Sequence, residues 1–405
     1  MTHVARNPRQ PDPAVSGTEA GLERPLVLFA SPVADLKGGA ERVLLNLLAN
    51  PAIRPALAVP GEGELAEIAR QRGLPLRFIN LGAVAAVHRP PRPRDLLRAA
   101  NEGRRCAGQL AAAVKDTGAS LLHTNGLKVH VIGALSRLAH RVPVVAHLHD
   151  IPHTGLEKAI WRGIAAGATR TVLVSEPCYP GPLPSRAAVV ANGVQPTAAP
   201  CARTLSEAPV IGFVGRIHPF KGLHLLLDWF EQASAARPAL RLLIRGRAEQ
   251  EGADYWASLQ GQVSRLVGQG RCRVLGWAGP GEDPYAGMDL LAVPSQTPDP
   301  APLVVVEAML RGIPPIGYPA GGIPALIGGP EHGALAADAA GFEAALTRLL
   351  DPRTYGLVSA AGARRVRGTF SMERFWANIN AQYALAGLAM PRQPDQQPDQ
   401  QAGRR

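Results

Sequence analysis

Short apolar runs recur along the chain and alternate with longer stretches of amphipathic character. A continuous apolar run bounded by turn residues is typical of a buried strand, and an apolar stripe at helical spacing is typical of a helix. The regular alternation of the two predicts an α/β protein with parallel sheets. The predicted strands are 25–30, 56–59, 76–81, 120–124, 142–148, 170–175, 187–191, 210–214, 240–244, 272–276, 290–293 and 313–318.

Helices are predicted between and after these strands. Helical spacing of apolar residues, together with the Gly and Pro residues that end each segment, defines them. The predicted helices are 40–49, a segment that ends near residue 114, 303–310, 341–350, 356–367 and 372–385.

The length of 405 residues is sufficient for two domains with separate cores. A stretch rich in Pro, Thr and Ala at 196–206 predicts the linker between them. The polar, Pro-rich residues 1–24 lack the apolar segment of a secretory signal, and we expect them to be disordered. The low-complexity tail at 391–405 is also predicted to be disordered.

Composition narrows the class of function. The net charge of +11 is compatible with an anionic substrate, a membrane surface or nucleic acid. Aromatic residues make up only 5% and no nucleic-acid-binding motif is present, so we expect no nucleic acid partner. The four cysteines are far apart, which predicts neither a disulfide framework nor a metal site. No apolar run reaches the roughly 18 residues that span a bilayer, and we expect a cytoplasmic protein.

Two carboxylates flank the start of a helix in the stretch 289–322. A buried strand is followed by a Pro-rich loop that carries Asp299, and Pro302 stands where the helix begins. The apolar helix 303–310 contains one acid, Glu307. Free N–H groups at such a helix N-terminus favour an anion such as a diphosphate. Strand, loop and helix are also the commonest unit of α/β proteins, so the spacing alone leaves a purely structural interpretation open.

Two further loops precede helices. Gly38 and Gly39 permit close approach of the backbone to a phosphate or a sugar, although a simple turn explains them equally well. Arg216 and Lys221 follow the strand 210–214. A lysine at a helix N-terminus is electrostatically unfavourable unless an anion is bound there, and this favours a diphosphate site.

Histidines lie at the carboxyl ends of two predicted strands, where ligands of doubly wound sheets collect. They are His123, His147 and His149, with Asp150 adjacent. We expect the side chains of His147 and His149 to point to opposite faces, and therefore expect no metal site.

A basic stretch at 88–105 contains six Arg and two acids. A solvated helix face is the simpler interpretation. The alternative is contact with an anionic membrane surface or an anionic acceptor.

The stretch 289–322 resembles the signature of the retaining glycosyltransferases of family 4. Asp299 stands in place of the first Glu of that signature, Pro302 in place of a Gly, and Ala325 in place of an acid. Further resemblance lies in G-G-A-E-R at 38–42, H-L-H at 147–149, A-N-G-V at 191–194 and G-R-I-H-P-F-K-G at 215–222. The matching residues of the signature are Ser295, Glu307, Ala308, Met309, Gly312, Pro314, Gly321 and Gly322.

The resemblance implies a GT-B fold, in which two Rossmann-like domains face each other across a cleft. The first would span 25–200 and the second, which binds the nucleotide-sugar, 201–371, with helix 372–390 crossing back to the first. The reaction implied is transfer of a sugar, most often a hexose, from a UDP- or GDP-sugar to a hydroxyl with retained configuration. The implied catalytic residues are Asp299, His149, Arg216 and Lys221. The implied donor-binding residues are Gly39, Arg216, Lys221, Leu303, Val304 and Glu307.

In this family the acceptor is a glycan, a lipid-linked or a small molecule, and no cofactor or tightly bound metal is needed. Lipid-linked acceptors would place the protein at the inner membrane face. Two alternatives remain open: a GT-B sugar-nucleotide epimerase, and a non-catalytic nucleotide-sugar-binding protein, which the departures at Asp299, Pro302 and Ala325 favour.

Overall fold

A computed structural model describes residues 23–36, 38–85, 93–196, 203–279 and 281–391. Of the sequence predictions, those on residues 1–22, on 88–92 of the basic stretch, on 197–202 of the linker and on the tail 392–405 lie outside the described residues. No helix in the described part of the chain is long and apolar enough to cross a membrane.

The first domain is a seven-stranded parallel sheet covered by helices on both faces. Its strands pair in the order β3-β2-β1-β4-β5-β6-β7. Its helices are α1 (Gly39–Leu48), α2 (Glu64–Gln71), α3 (Pro93–Thr117), α4 (Leu127–Ser136) and α5 (Gly155–Gly167). Its strands are β1 (Leu26–Ala30), β2 (Arg54–Val59), β3 (Leu76–Phe78), β4 (Leu121–Asn125), β5 (Val144–Leu148), β6 (Arg170–Leu173) and β7 (Ala187–Val189).

The alternation of side chains along β1 shows how this sheet supplies two cores. Val27 and Phe29 pack in the cluster that contains α1 and α2. Leu28 and Ala30 pack on the other face with α3 and α4. Because successive strand residues point to opposite faces, a strand apolar at every position is stable only when helices cover both sides.

The second domain is a six-stranded parallel sheet with the order β10-β9-β8-β11-β12-β13. Its strands are β8 (Val210–Val214), β9 (Arg241–Arg245), β10 (Cys272–Leu275), β11 (Leu290–Val293), β12 (Pro315–Gly317) and β13 (Ala334–Leu335). Its helices are α6 (Leu223–Ala236), α7 (Ala253–Gly268), α8 (Leu303–Leu310), α9 (Ile323–Ile327), α10 (Ala339–Leu349) and α11 (Pro352–Thr369).

The last helix, α12 (Met372–Leu385), packs on the first domain although it follows the second in sequence. The indole N–H of Trp376 donates to the carbonyl of Asn46 at 2.8 Å. The Asn50 amide donates to the Asn380 side chain, also at 2.8 Å, in a buried contact. Burial of the apolar face of α12 against α1 therefore ties the two domains together.

Several strands are shorter than the sequence predicts, and hydrogen bonds explain two of them. Strand β12 begins at Pro315 rather than at residue 313 because the N–H of Ile313 bonds the carbonyl of Ala308 and completes the end of α8. Strand β3 stops at Phe78, and the N–H of Asn80 bonds the Gln109 side chain instead of a strand.

The strand order reverses direction at one place in each sheet. In the first sheet the reversal lies between β1 and β4, and in the second it lies between β8 and β11. Ligands of doubly wound sheets bind in the crevice at the carboxyl ends of such neighbouring strands. The loops after β1, β4, β8 and β11 therefore mark the candidate site.

Candidate active site at the strand ends of both domains

The connection from β8 to α6 brings Lys221 against the end of β11. Residues Pro219–Lys221 form a single 3-10 turn. Gly222 follows with a φ of 72°, and a Cβ at this position would lie 2.0 Å from the carbonyl oxygen of Pro294. Only glycine allows both the left-handed conformation and this approach, so it fixes Lys221 at the reversal point of the sheet.

Lys221 and Asp299 form an ion pair, with 2.5 Å between Nζ and Oδ2. The two side chains are 22% and 15% exposed. Arg216 lies near the same phenyl ring as Lys221: its guanidinium carbon is 5.3 Å from the ring centre of Phe220, which Lys221 approaches to 5.4 Å. Arg216 also forms a loose ion pair with Glu249 at 3.9 Å. Two cations thus lie beside Phe220 after β8, with Lys221 paired to Asp299 and Arg216 paired to Glu249.

The Pro-rich loop that carries Asp299 rests on the glycine pair before α9. The N–H of Gly322 donates to the carbonyl of Asp299 at 2.8 Å. A Cβ on Gly321 would lie 2.2 Å from that same carbonyl oxygen, and one on Gly322 would lie 1.8 Å from the carbonyl of Pro300. The glycine pair therefore serves to position the loop.

Pro302 precedes α8 as its N-cap, in an extended conformation, rather than occupying the first helical turn. The Pro302 side chain makes no capping hydrogen bond to this helix N-terminus. Leu303 and Val304 form the first turn and are half-buried. The first N–H groups of α8 thus remain available to an anion.

Glu307 is engaged by both of its carboxylate oxygens. Tyr285 donates its hydroxyl to Oε2 at 2.5 Å. Arg42, from the first domain, approaches Oε1 to 3.3 Å. Burial, with the Glu307 carboxylate beside it, raises the pKa of Tyr285 well above its ordinary value, so the phenol keeps its proton. The guanidinium of Arg311 lies 4.7 Å from the Tyr285 ring centre and holds that ring in place.

The first domain contributes the N-terminus of α1 to the same region. Gly38 is the N-cap and has no side chain to cap the helix, and Gly39 is the exposed first residue of the helix. Glu41, in the first turn, interacts electrostatically with Asp150 and with Arg216 of the second domain. Burial raises the pKa of Glu41, and backbone hydrogen bonds oppose this shift.

The prediction for the histidine pair is wrong in its geometry. The rings of His147 and His149 are in contact, with centroids 4.3 Å apart and planes tilted by 36°. Residues two apart along a strand share a face, so these side chains lie on the same side. Burial lowers the pKa of His149 to about 4 and that of His147 well below its ordinary value, so both rings are neutral at pH 7.

His149 Nε2 lies 2.6 Å from Oδ1 of Asn125, which ends β4. The same amide donates to the carbonyl of Ala40, beside Gly39, at 3.2 Å. Among the described residues, no group of three or more His, Cys, Asp or Glu side chains could hold a metal ion.

The structure thus brings the predicted residues into two groups. Arg216, Lys221 and Asp299 cluster at one sheet end, while Gly39 and His149 line the other. Glu307 is joined to the first domain through Arg42. Sequence reasoning missed Arg42, Glu41, Asn125 and Tyr285. Glu41 and Arg42 stand in the motif at 38–42, and Asn125 directly follows the predicted strand 120–124, but only contacts between distant segments show their significance.

Comparison with known proteins identifies the second domain. Residues 208–352 match the family model of glycosyl transferases group 1. Residues 208–352 form a group 1 glycosyl transferase domain. The match covers β8 to α10, and so includes Arg216, Lys221, Asp299 and Glu307.

Two curated relatives extend the sequence match. The chain is 32% identical over 193 residues to the D-inositol 3-phosphate glycosyltransferase of Segniliparus rotundus, which covers 45% of this chain and 41% of the relative. It is 31% identical over 179 residues to the glycogen synthase of Halorhodospira halophila, covering 41% and 35%. The chain therefore matches less than half the length of these relatives.

Solved structures confirm the fold of both the glycosyl transferase domain and the first domain. Anabaena Alr3699/HepE in complex with UDP superposes with a TM-score of 0.72 at 21% identity, over 89% of this chain and 100% of that one. Sucrose-phosphate synthase from Thermosynechococcus elongatus gives a TM-score of 0.66 at 18% identity, over 89% and 98%. Together with the two parallel sheets, these neighbours confirm the predicted GT-B fold.

Proposed function

We propose that the protein is a retaining glycosyltransferase that moves a sugar from a nucleotide-sugar to a hydroxyl of a glycan, lipid-linked or small-molecule acceptor. One observation carries the proposal. Lys221 pairs with Asp299 at the reversal point of the second sheet, Arg216 lies near the same Phe220 ring as Lys221, and Pro302 provides no capping side chain for the N-terminus of α8. Such a cluster suits a diphosphate bonded to a polyhydroxylated group.

Departure of the diphosphate is the step that needs stabilisation. Negative charge grows on the leaving diphosphate as the bond to the sugar breaks, and Arg216 and Lys221 supply two fixed cations for it. The N–H groups at the starts of α1 and α8 add dipoles of the same sign, through Gly39 on one side and Leu303 and Val304 on the other. The diphosphate oxygen then helps to remove the proton of the acceptor hydroxyl.

Glu307 would accept hydrogen bonds from the ribose hydroxyls. Tyr285 already occupies one carboxylate oxygen, and this leaves Oε1 for the donor. Arg42 holds that oxygen in the ligand-free protein, at 3.3 Å. The ribose must therefore compete with Arg42, and donor entry loosens a contact between the two domains.

Asp299 and His149 would contact the transferred sugar from opposite domains. Asp299 is already paired with Lys221. The carboxylate that would accept hydrogen bonds from the sugar hydroxyls therefore also orients the cation for the diphosphate. Half-buried Glu41, in the first turn of α1, interacts electrostatically with Arg216 of the second domain.

The neighbours favour one class of donor. HepE is described in complexes with UDP and with UDP-glucose, and the curated relatives are a glycosyltransferase and a glycogen synthase. We therefore infer a UDP-sugar as the first donor to test, with GDP-sugars as the second class.

A panel of UDP- and GDP-sugars tests the proposal by the release of nucleoside diphosphate with and without cell extract. A transferase needs extract and gives a glycosylated product. Release without acceptor, with free sugar or an epimer, would identify an epimerase instead. Binding without release in either condition would indicate a binding protein.

The basic stretch at 88–105 adds a membrane component to the proposal. Arg104 and Arg105 lie on α3 and are exposed. Arg104→Glu combined with Arg98→Glu should abolish sedimentation with anionic vesicles, and high salt should have the same effect. If the unaltered protein stays in the supernatant, the stretch is a solvated face.

A further inference from the structure

Asn125 is a buried amide that joins two parts of the candidate site. It ends β4, at the reversal point of the first sheet, and is 1% exposed. Its amide nitrogen lies 3.2 Å from the carbonyl oxygen of Ala40. Its oxygen lies 2.6 Å from Nε2 of His149. One side chain therefore spans the start of α1 and the histidine after β5.

The chemistry of these two contacts fixes the position of a proton. A backbone carbonyl can only accept a hydrogen bond, so the amide must present its NH₂ group to Ala40. Its oxygen then faces His149, and an amide oxygen can only accept. Nε2 of His149 must therefore carry the hydrogen, and in a neutral imidazole Nδ1 is left with a lone pair.

We infer that Asn125 is a positioning residue that holds His149 as the Nε2–H tautomer, so that Nδ1 accepts a hydrogen bond from a hydroxyl of the transferred sugar. The sugar contact rests on the proposed function, whereas the tautomer does not. Asn125 also links the His149 ring to Ala40, next to Gly39, through its two hydrogen bonds. The position of the proposed sugar contact is therefore coupled to the start of α1.

This arrangement selects among donors. A ring that offers only a lone pair to the sugar favours a group with a proton to donate, namely a hydroxyl. A deoxy sugar leaves the lone pair without a partner, and a carboxylate at the same position meets it with a second acceptor. We therefore expect neutral hydroxylated sugars to be preferred over uronic acids.

The surroundings of His149 keep the imidazole uncharged, as this role requires. Burial lowers its pKa to about 4, and the neighbouring Asp150 opposes the shift only in part. The neutral ring of His147 packs against the His149 ring at a tilt of 36°. A protonated ring would donate from both nitrogens, so the tautomer has meaning only because the ring stays neutral at pH 7.

The tautomer can be observed directly in the free protein. Two-bond ¹H–¹⁵N correlation spectra of the ¹⁵N-histidine-labelled chain distinguish Nε2–H from Nδ1–H, and His149→Gln assigns the signal. We expect Nε2–H alone at pH 8. Asn125→Leu should give a mixture of the two tautomers. Asn125→Asp, whose carboxylate still accepts a hydrogen bond from Nε2, should keep the Nε2–H tautomer alone. Asn50 is also a buried asparagine, in the contact with α12. Asn50→Asp is therefore the matched control and should leave the tautomer of His149 unchanged.

An Nδ1–H signal in the unaltered protein would overturn the inference, whether or not the variants fold. An unchanged tautomer in folded Asn125→Leu would also overturn it, because the amide would then have no directing role.

Calorimetric titration tests the sugar contact with UDP-glucose and its 2-, 3-, 4- and 6-deoxy analogues. In the unaltered protein one analogue should bind about 10-fold more weakly than the rest, as expected for an unpaired acceptor. In Asn125→Leu that selective loss should shrink to about 3-fold or less. Equal binding of all analogues, or no UDP-glucose binding, would overturn the sugar assignment. Binding without turnover would instead refute only the transferase proposal.

Discussion

Replacement of Lys221 by Ala separates the catalytic role of the ion pair with Asp299 from its structural role. The pair is close, with 2.5 Å between Nζ and Oδ2, and both side chains are largely shielded from solvent. Removing Lys221 leaves the Asp299 carboxylate without its cation in a partly desolvated place. The same change removes one of the two cations proposed to stabilise the leaving diphosphate.

The structural cost lies between two known limits. Breaking an exposed ion pair costs about 0–1 kcal/mol, and breaking a fully buried one costs about 3–5 kcal/mol. With exposures of 22% and 15%, we expect about 1–3 kcal/mol of unfolding free energy. The expected loss in turnover is larger, about 10²–10³-fold, because the positive charge acts mainly as the diphosphate departs.

The assay pairs urea unfolding with steady-state kinetics at saturating donor. Arg237→Ala is the matched control, because Arg237 pairs with Glu343 at 2.6 Å with exposures of 23% and 45%, in a contact between the end of α6 and α10. It should lower stability by a similar amount with kcat unchanged. Equal kcat in Lys221→Ala and the unaltered protein would refute the diphosphate assignment. Equal loss of kcat in both variants would show that only stability is being measured.

Three further predictions concern other parts of the site. Glu307→Ala should mainly raise the donor KM, since the ribose does not change in the reaction. Asp299→Ala should mainly lower kcat, and Asp299→Glu should not be neutral. If Asp299→Ala transfers sugar as fast as the unaltered protein, Asp299 is only an acidic residue of the loop without a catalytic role. Arg42→Ala should lower the donor KM by up to about 5-fold, because an exposed pair worth under about 1 kcal/mol no longer competes with the ribose; a raised KM would show that Arg42 contacts the donor. The folded-state pKa of His147 lies well below 6.5, so its stabilising contribution is complete above pH 6.5 and declines as the pH falls. His147→Phe should remove about 1.4 kcal/mol per pH unit from the dependence of the free energy of unfolding in urea on pH between pH 6 and 5; an unchanged slope would contradict the assignment.

The regular elements were predictable because their signals are local. Strands β8 and β11 and helices α8 and α12 have the predicted bounds. Each combines an apolar run with a Gly or Pro at its end, and such patterns depend only on neighbouring residues.

The site was predictable only where its residues stand in one motif. The stretch 289–322 contains Asp299 and Glu307, but the contact of Glu307 with Arg42 joins residues 265 positions apart. Tyr285 lies in a loop whose sequence carries no signal for a buried phenol. Asn125 lies two positions after the more conspicuous His123. Only the pairing of β4 with β5 shows that Asn125 faces His149. Such contacts depend on strand order, which the pattern of apolar residues does not encode.

The central claim is that the reversal point of the second sheet binds a nucleoside diphosphate through Arg216 and Lys221. Calorimetric titration of UDP and of GDP into the full-length protein, and into Arg216→Ala/Lys221→Ala, tests it without any acceptor. We expect at least one nucleotide to bind the unaltered protein and to bind the double variant at least about 100-fold more weakly, a loss of about 2.7 kcal/mol. Failure of both nucleotides to bind, or equal binding to the double variant, would contradict the claim.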